Sequence, residues 1–550
     1  MKRLLVALLL TLSAVVLIFM RHPMVDDVFC DPDVAGAAYS AQELLRGGDL
    51  YGDTVETKPP FTYLLMAFLF SRFGLTMSPV YIAAIIVHLV MLLCLFWLGR
   101  SILGDLAGLL AALLYALYSV TTAVNGWCPN FETWPLAPLG LGFVLLWRQM
   151  QTRRWWQPVL IGLCGGWAVL GKQNVAVFGL AWLALLWLAQ PETKSRNERL
   201  RGFAGDTLLA LFGLALPLAA TALYFAQRGG LASLLSALHP QAVVEYVSSE
   251  RLGFNARGLL HNGGKLLLYT KFLFLPMIGL FALIFWEKWR REVDAKIVRG
   301  LQFIEIWLIG AILAVVAGTK FFSHYFVLLM PPVTLAAGFV VHLLGFRIWK
   351  KTVAGVVLVG VLLAGALVDM RLEISIAAKA LNDRLQRGQV YWQEGDDYFW
   401  RRAGLPRYSA WSYLLRDVGR CLDSHARPGE TIYVWDYEPG VYWYAQRRAP
   451  TRHFMYFNVA TSLPDNAGRW FGEEDPFVRA QREQLLNDLT RSPPAYVVVL
   501  THREPKNWWD YSHVPAPMFD PLRRFVDEQY QRDDDCSNRY LTTLRRVDPD

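Results

Sequence analysis

Charge is the first thing this chain is short of. Only 18% of its 550 residues are Asp, Glu, Lys or Arg, where a soluble domain carries about a quarter. The deficit is uneven. Long apolar runs fill residues 1–370, whereas 371–550 read as a soluble domain. An ordinary soluble protein is thereby excluded in favour of a membrane domain with a soluble tail. Acids are nearly absent from the apolar runs, and no internal repeat is visible. Both absences count against a transporter or lipid flippase, which needs ionisable or broken centres in mid-membrane, often in paired halves. That class is the alternative reading. Cysteine is also scarce, with six in the chain and no pair at metal-site spacing. Cys94 and Cys164 lie in apolar runs and read as packed thiols. Cys421 and Cys536 lie in the tail, where a disulfide is open to them if the tail is outside the cytoplasm. The tail has neither a G-x-G-x-x-G nor a P-loop, so nucleotide binding is unsupported. The formal charge of +8 is no nucleic-acid footprint, because Lys and Arg gather in short loops between apolar runs.

What is present is a series of candidate spans. The N-terminal run after Lys2 and Arg3 is long and lacks a small-x-small cleavage pattern, so it reads as an uncleaved first span. Others are expected near 79–99, 105–124, 135–148, 156–171, 174–190, 206–226, 266–286, 302–318, 325–345 and 352–370, about eleven in all. Loops bearing Arg100, Arg148, Arg153, Arg154, Lys194, Arg196, Arg199, Arg201, Lys288, Arg290, Arg291, Lys296, Arg299, Arg347, Lys350 and Lys351 then fall on one side. The charge rule makes that side the cytoplasm. The expected location is the inner (plasma) membrane, with the N-terminus cytoplasmic and the C-terminal domain outside.

The segment 61–74 is apolar but short of the roughly 20 residues a crossing needs. Counting it as a span would push most basic loops outside, so a helix along the outer interface is expected. It belongs to an external loop, 21–78, whose stretch 26–58 holds Asp26, Asp27, Asp31, Asp33, Glu43, Asp49, Asp53 and Glu56 against Arg46 and Lys58. Val34, Ala37, Ala38, Ala41, Leu44 and Leu45 recur at helical spacing. Asp31 and Asp33 sit at that helix's N-terminus, where the dipole favours acids, and Gly47 and Gly48 end it. Two interfacial helices therefore frame two carboxylates and one lysine.

These residues resemble the first external loop of GT-C fold glycosyltransferases: an acidic pair opening a helix, then A-x-x-L-L-x-G-G, then K-P-P and an aromatic-rich helix. The likeness is to protein O-mannosyltransferases and lipid A aminoarabinose transferases. NFETWPLAPLGLGFVLLWR (130–148), with Glu132 before a span, resembles the second external loop of such enzymes. LGKQNVAV (170–177) resembles their lysine-bearing turn, and GTKFFSHYFVLLMPP (318–332) their late external loop. The resemblance covers about 1–345 and implies an α-helical polytopic GT-C domain over 1–370 with an extracytoplasmic α/β domain over 371–550. It also implies an inverting glycosyltransferase that moves a sugar from a polyprenyl-phosphate carrier to an acceptor hydroxyl, with an aspartate as base. By position relative to the following Gly-Gly-Asp, Asp33 matches that aspartate. Many relatives have Asp-Glu where this chain has Asp33-Val34.

The chemistry needs a carboxylate to take the acceptor's proton and cations to meet the leaving phosphate. Asp33 is the candidate base and Asp31 its substitute or orienter; capping of the helix by one of them is the other reading. Lys58, Lys320, His324 and Arg257 (with Arg251) are the candidate phosphate-binding cations. Interfacial snorkelling for Lys58 and a structural role for His324 stay open. Glu132 and Tyr325 are assigned to acceptor or sugar binding; a metal held by Glu132 and a histidine, or a plain helix-start acid, are alternatives for Glu132. No cofactor is required, and a divalent metal is left open. Partners are a polyprenyl-linked sugar donor, a lipid, glycan or protein acceptor, and membrane lipids. In the tail, 431–435, 452–457, 495–500 and 540–547 read as strands and 477–492 and 521–530 as helices, implying a largely parallel sheet. WDYEPGVYWY (435–444) is either buried core or a sugar-facing patch.

Overall fold

The computed structural model describes residues 1–25, 28–239, 256–277, 294–348, 352–388, 390, 405–455, 459, 476–501 and 518–547. Helices in chain order are α1 (Lys2–Arg21), α2 (Pro32–Leu45), α3 (Phe61–Phe73), α4 (Ser78–Ile102), α5 (Asp105–Tyr118), α6 (Leu136–Thr152), α7 (Trp156–Gly171), α8 (Phe178–Leu188), α9 (Arg196–Gln227) and α10 (Leu231–Leu238). They continue with α11 (Ala256–Tyr269), α12 (Ala295–Ala317), α13 (Met330–His342), α14 (Thr352–Asp369), α15 (Arg371–Arg387), α16 (Leu405–His425), α17 (Gly440–Ala445), α18 (Pro476–Arg491) and α19 (Asp520–Gln529). The chain divides into two compact units. One comprises Met1–Asp26, Ser78–Ala222 and Phe254–Tyr391; the other comprises Asp27–Met77, Leu223–Gly253 and Trp392–Asp550.

The first unit is a multi-pass helical body. Among the described residues six helices are long and apolar enough to cross a membrane. Several expected spans are shorter helices, Asp105–Tyr118, Trp156–Gly171 and Gln173–Leu188 among them. Part of the expected span 266–286 lies outside the described residues. Its core is aromatic: Phe143 stacks on Trp307 at 4.1 Å and meets Phe178, Trp182 and Phe303 edge-on. Helices α7 and α9 approach closely through glycine. A Cβ on Gly162 would lie 1.8 Å from the Ala210 carbonyl oxygen, and one on Gly213 would lie 1.9 Å from that of Val159. Small residues at such crossings let backbones meet where lipid offers no hydrophobic drive. The basic helix ends find acids. Lys2 and Arg100 share Asp105 (3.4 and 3.0 Å), and Arg153 reaches Asp206 at 3.0 Å.

The second unit joins the first loop to the tail. Asp31 caps α2, its Oδ1 accepting from the Asp33 amide at 2.9 Å, with Pro32 at the first helical position. Gly47, at φ +87°, turns the chain after the helix. α2 and the residues just before it pack on the tail. Phe29 meets Trp443 and Tyr444, Tyr39 meets Tyr442 and Phe454, and Glu43 bridges Arg46 and Arg448.

The tail's sheet holds β1 (Ile432–Trp435), β2 (Tyr496–Leu500), β3 (Tyr530–Asp533) and β4 (Leu541–Arg546) in the order β1-β2-β4-β3. Only β1–β2 is parallel; β2–β4 and β3–β4 are antiparallel, so the largely parallel expectation is corrected. The connection 534–540 is too short for a crossover and makes a hairpin instead. Residues 452–455 are not strand: the Val55 amide donates to the Arg452 carbonyl at 3.1 Å, so that segment pairs with the first loop (456–457 lie outside the described residues). Tyr433, Trp435, Leu485, Val497, Leu522 and Phe525 build the core over the sheet.

Cys421 on α16 and Cys536 after β3 form a disulfide, with Cα atoms 5.4 Å apart. The His425 Nδ1 lies 3.6 Å from each sulfur. Among the described residues this trio is the only group with metal-ligand spacing, and the disulfide removes its thiolates as ligands. Replacing both cysteines with Ser is expected to lower tail stability by about 2–4 kcal/mol. Alkylation of the denatured protein is expected to label four cysteines before reduction and six after. Six labelled cysteines without reductant would refute the bond.

Candidate active site

The acid pair at the start of α2 divides its roles. Asp31 caps the helix, as above. Asp33, one residue into the first turn, turns its Oδ1 toward the Lys58 ammonium at 3.3 Å and accepts a hydrogen bond from the Tyr437 hydroxyl. Both the Asp33 and Lys58 side chains are 18% exposed, so the pair is half-desolvated yet reachable. The Lys58 loop is pinned: the Tyr51 hydroxyl donates to the Lys58 carbonyl at 2.9 Å, and Arg452 donates to the Tyr51 carbonyl at 3.1 Å. Pro59 and Pro60 follow, and α3 starts at once.

Glu56 is the acid that sequence reasoning passed over. It accepts from the Ser40 hydroxyl at 2.8 Å and the Tyr63 hydroxyl at 2.5 Å. Burial pushes its carboxyl up, and neither Lys58 nor the two hydroxyls cancel that push. Tyr437 was also missed as a site residue. It stands in the turn after β1, where Asp436 Oδ1 accepts the Tyr437 amide at 2.6 Å.

The first unit carries a second cluster. Glu132 is buried, with the Lys172 ammonium 3.0 Å from Oε1 and His324 Nε2 3.8 Å from Oε2. Lys172 also sits over the rings of Phe131 (5.5 Å) and Tyr325 (5.2 Å). Burial pushes the Glu132 carboxyl up, but Lys172 and His324 outweigh it and hold the group below its ordinary range. Lys172, given no role from sequence, is thus the partner of Glu132 and occupies a cation's place beside it. The loop bearing Glu132 is tied down by buried polar groups. Arg21 donates to the Gly126 carbonyl at 2.6 Å and the Ser119 carbonyl at 2.8 Å, and Glu373 accepts the Thr122 amide at 3.0 Å.

Lys320 is buried in the turn before α13, between Thr319 and Phe321, both at positive φ (55° and 52°). Non-glycine residues in that region are strained and gather at functional sites. Asn262 donates to the Phe321 carbonyl at 2.8 Å and accepts from Ser323 at 3.1 Å, which holds the turn. Arg257 is exposed in the first turn of α11, and Arg251 lies outside the described residues.

The structure of ArnT from Cupriavidus metallidurans bound to undecaprenyl phosphate is similar over nearly the whole chain. It covers 99% of this chain and 98% of its own, with a TM-score of 0.57 at 13% identity. The fold is GT-C. Its apo form gives a TM-score of 0.54 at 14% identity, again over 99% of this chain and 98% of its own. The archaeal oligosaccharyltransferase AglB from Archaeoglobus fulgidus, in complex with an inhibitory peptide and a dolichol-phosphate, gives 0.50 at 14% identity, over 90% of this chain and 69% of its own. Residues 57–224 match the family model for dolichyl-phosphate-mannose-protein mannosyltransferase. No curated protein matches the chain. The matched segment begins one residue before Lys58 and takes in Glu132 and Lys172.

Proposed function

We propose that this GT-C protein is an inverting glycosyltransferase that takes a sugar from a polyprenyl-phosphate carrier and passes it to an acceptor hydroxyl on the extracytoplasmic face. The observation that carries the reading is Asp33, a reachable carboxylate beside the Lys58 ammonium at the head of α2. As the acceptor oxygen bonds to the anomeric carbon, its proton passes to Asp33. The bond from that carbon to the phosphate oxygen breaks, and polyprenyl phosphate leaves as an anion. Lys58 meets that charge, with Lys320, His324 and Arg257 as further phosphate ligands. Glu132 and Tyr325, with Lys172, bind sugar or acceptor. Asp31 acts as orienter through its cap.

Helices α2 and α3 lie along the outer interface in this reading, and the tail faces the oxidising side of an inner membrane. The Cys421–Cys536 disulfide supports that side. ArnT and AglB, solved with undecaprenyl phosphate and dolichol-phosphate, support the carrier class. The acceptor is a lipid, a glycan or a protein hydroxyl. The test is purified protein incubated with labelled polyprenyl-phosphate sugars. Enzyme-dependent release of polyprenyl phosphate, with the transferred sugar's anomeric configuration inverted, is expected. No release from any donor would overturn the reading.

A further inference from the structure

We infer that Tyr437, in the C-terminal domain, is a positioning residue for the base, so that this domain completes the catalytic centre. The inference rests on the reading of Asp33 as base. Three observations within the second unit carry it. The Tyr437 hydroxyl donates to Asp33 Oδ1, the same oxygen that faces Lys58 at 3.3 Å. Two donors on one carboxylate oxygen fix the rotation of the group and leave its direction determined by its partners.

The turn that presents Tyr437 is stiff. Trp435 before it is fully buried in the sheet core. The Asp436 side chain accepts the Tyr437 amide at 2.6 Å. Pro439 is the N-cap residue of α17, and the Tyr442 hydroxyl accepts the Val434 amide at 2.8 Å, which ties that helix back to β1. Finally, α2 is packed on this same region by Tyr39 against Tyr442, and Phe29, just before the helix, packs against Trp443. The helix bearing the base and the turn bearing the phenol therefore share one packed body, and their hydrogen bond is preorganised rather than an incidental surface contact.

A hydrogen bond to the ionised form of an acid favours that form. Asp33 is faced by Asp31 on its own helix, by Lys58 and Glu56 from the following loop, by Tyr63 on α3, and by Tyr437 between Asp436 and Glu438. Removing the phenol oxygen takes away one stabilising donor and leaves the charges in place. The acid limb of the kcat/KM profile then moves to higher pH.

The experiment compares wild type, Tyr437→Phe, Tyr433→Phe and Asp33→Asn in the same polyprenyl-phosphate-sugar transfer assay from pH 4 to 9 (approximate range set by ordinary carboxylate and histidine titration). Tyr433→Phe removes a buried hydroxyl from β1 in the same sheet, one that makes no hydrogen bond among the described residues. In Tyr437→Phe the acid limb is expected to rise by about half to one pH unit and kcat to fall about tenfold, with donor KM little changed. Tyr433→Phe is expected to keep the wild-type limb, and matching thermal unfolding curves for the two Phe variants separate positioning from folding. An unshifted limb in Tyr437→Phe, with Asp33→Asn inert, overturns this inference alone. Full turnover by Asp33→Asn overturns the base assignment and this inference with it.

Discussion

Changing Asp33 to Asn abolishes all but about one part in 10² to 10⁴ of sugar transfer, the range a lost general base costs. Asn has the same shape and its Oδ1 still accepts the Tyr437 hydroxyl bond that Asp33 accepts. Lys58 loses an ion pair, but its side chain is 18% exposed and water replaces part of it. Folding is therefore little affected and the loss falls on kcat. The companion is Asp31→Asn. At an N-cap Asn and Asp are equivalent, whereas Ala costs about 1 kcal/mol. Asp31→Asn is thus expected to transfer sugar at nearly the wild-type rate, and Asp31→Ala to be mildly destabilised through the lost bond to the Asp33 amide. Purified variants assayed for polyprenyl phosphate release decide the matter. An active Asp33→Asn with an inert Asp31→Asn would exchange the two roles.

Local signals carried far in this chain. Asp31-Pro32-Asp33 and Gly47-Gly48 mark both ends of α2 in sequence, and both cap geometries are present. The apolar runs marked the membrane body. Partnerships between distant segments were not legible. Glu132 and Lys172 are separated by α6 and α7, and only the packing of those helices brings them to 3.0 Å. LGKQN drew notice as a motif, but a sequence does not say which acid its lysine meets. Glu56 read as one more acid in a wet loop. Ser40 and Tyr63, from the helices on either side, cover it. The one visible hint was its place two residues before Lys58. Tyr437 was hidden inside an aromatic patch whose neighbours, Val441, Tyr442 and Trp443, are core. In the tail, β3 reads Tyr-Gln-Arg-Asp, an edge strand with one buried position, so period-two alternation gave no signal.

Removing the Glu132 carboxylate while leaving Lys172 in place is expected to destabilise the helical body by about 3–5 kcal/mol, the cost of a buried charge without its partner. The Lys172 side chain is 8% exposed and that of Glu132 only 1%, so neither charge can turn to water. The reverse change, Lys172→Met, strands the carboxylate instead. Burial then acts with less opposition, and the Glu132 carboxyl rises from the depressed position that Lys172 and His324 give it. The sign follows. In wild type the depressed group contributes stability above the ordinary carboxylate range, about pH 4.3 for Glu, and loses it only as pH falls through the lower folded value. In Lys172→Met the buried carboxylate is charged without its ammonium, so the variant is least stable relative to wild type near neutral pH, and its deficit narrows in mild acid as protonation relieves that charge. Glu132→Gln with Lys172→Met removes both charges and is expected to recover most of the stability of either single change, a coupling of several kcal/mol in a double-mutant cycle read by thermal unfolding. Transfer by the double variant then separates two roles. Recovered stability without recovered transfer means that the pair binds substrate, because only then does a well-folded body lack what the reaction uses. Recovery of both would make the pair a structural tie alone and return the acceptor and sugar contacts to Tyr325 and its neighbours.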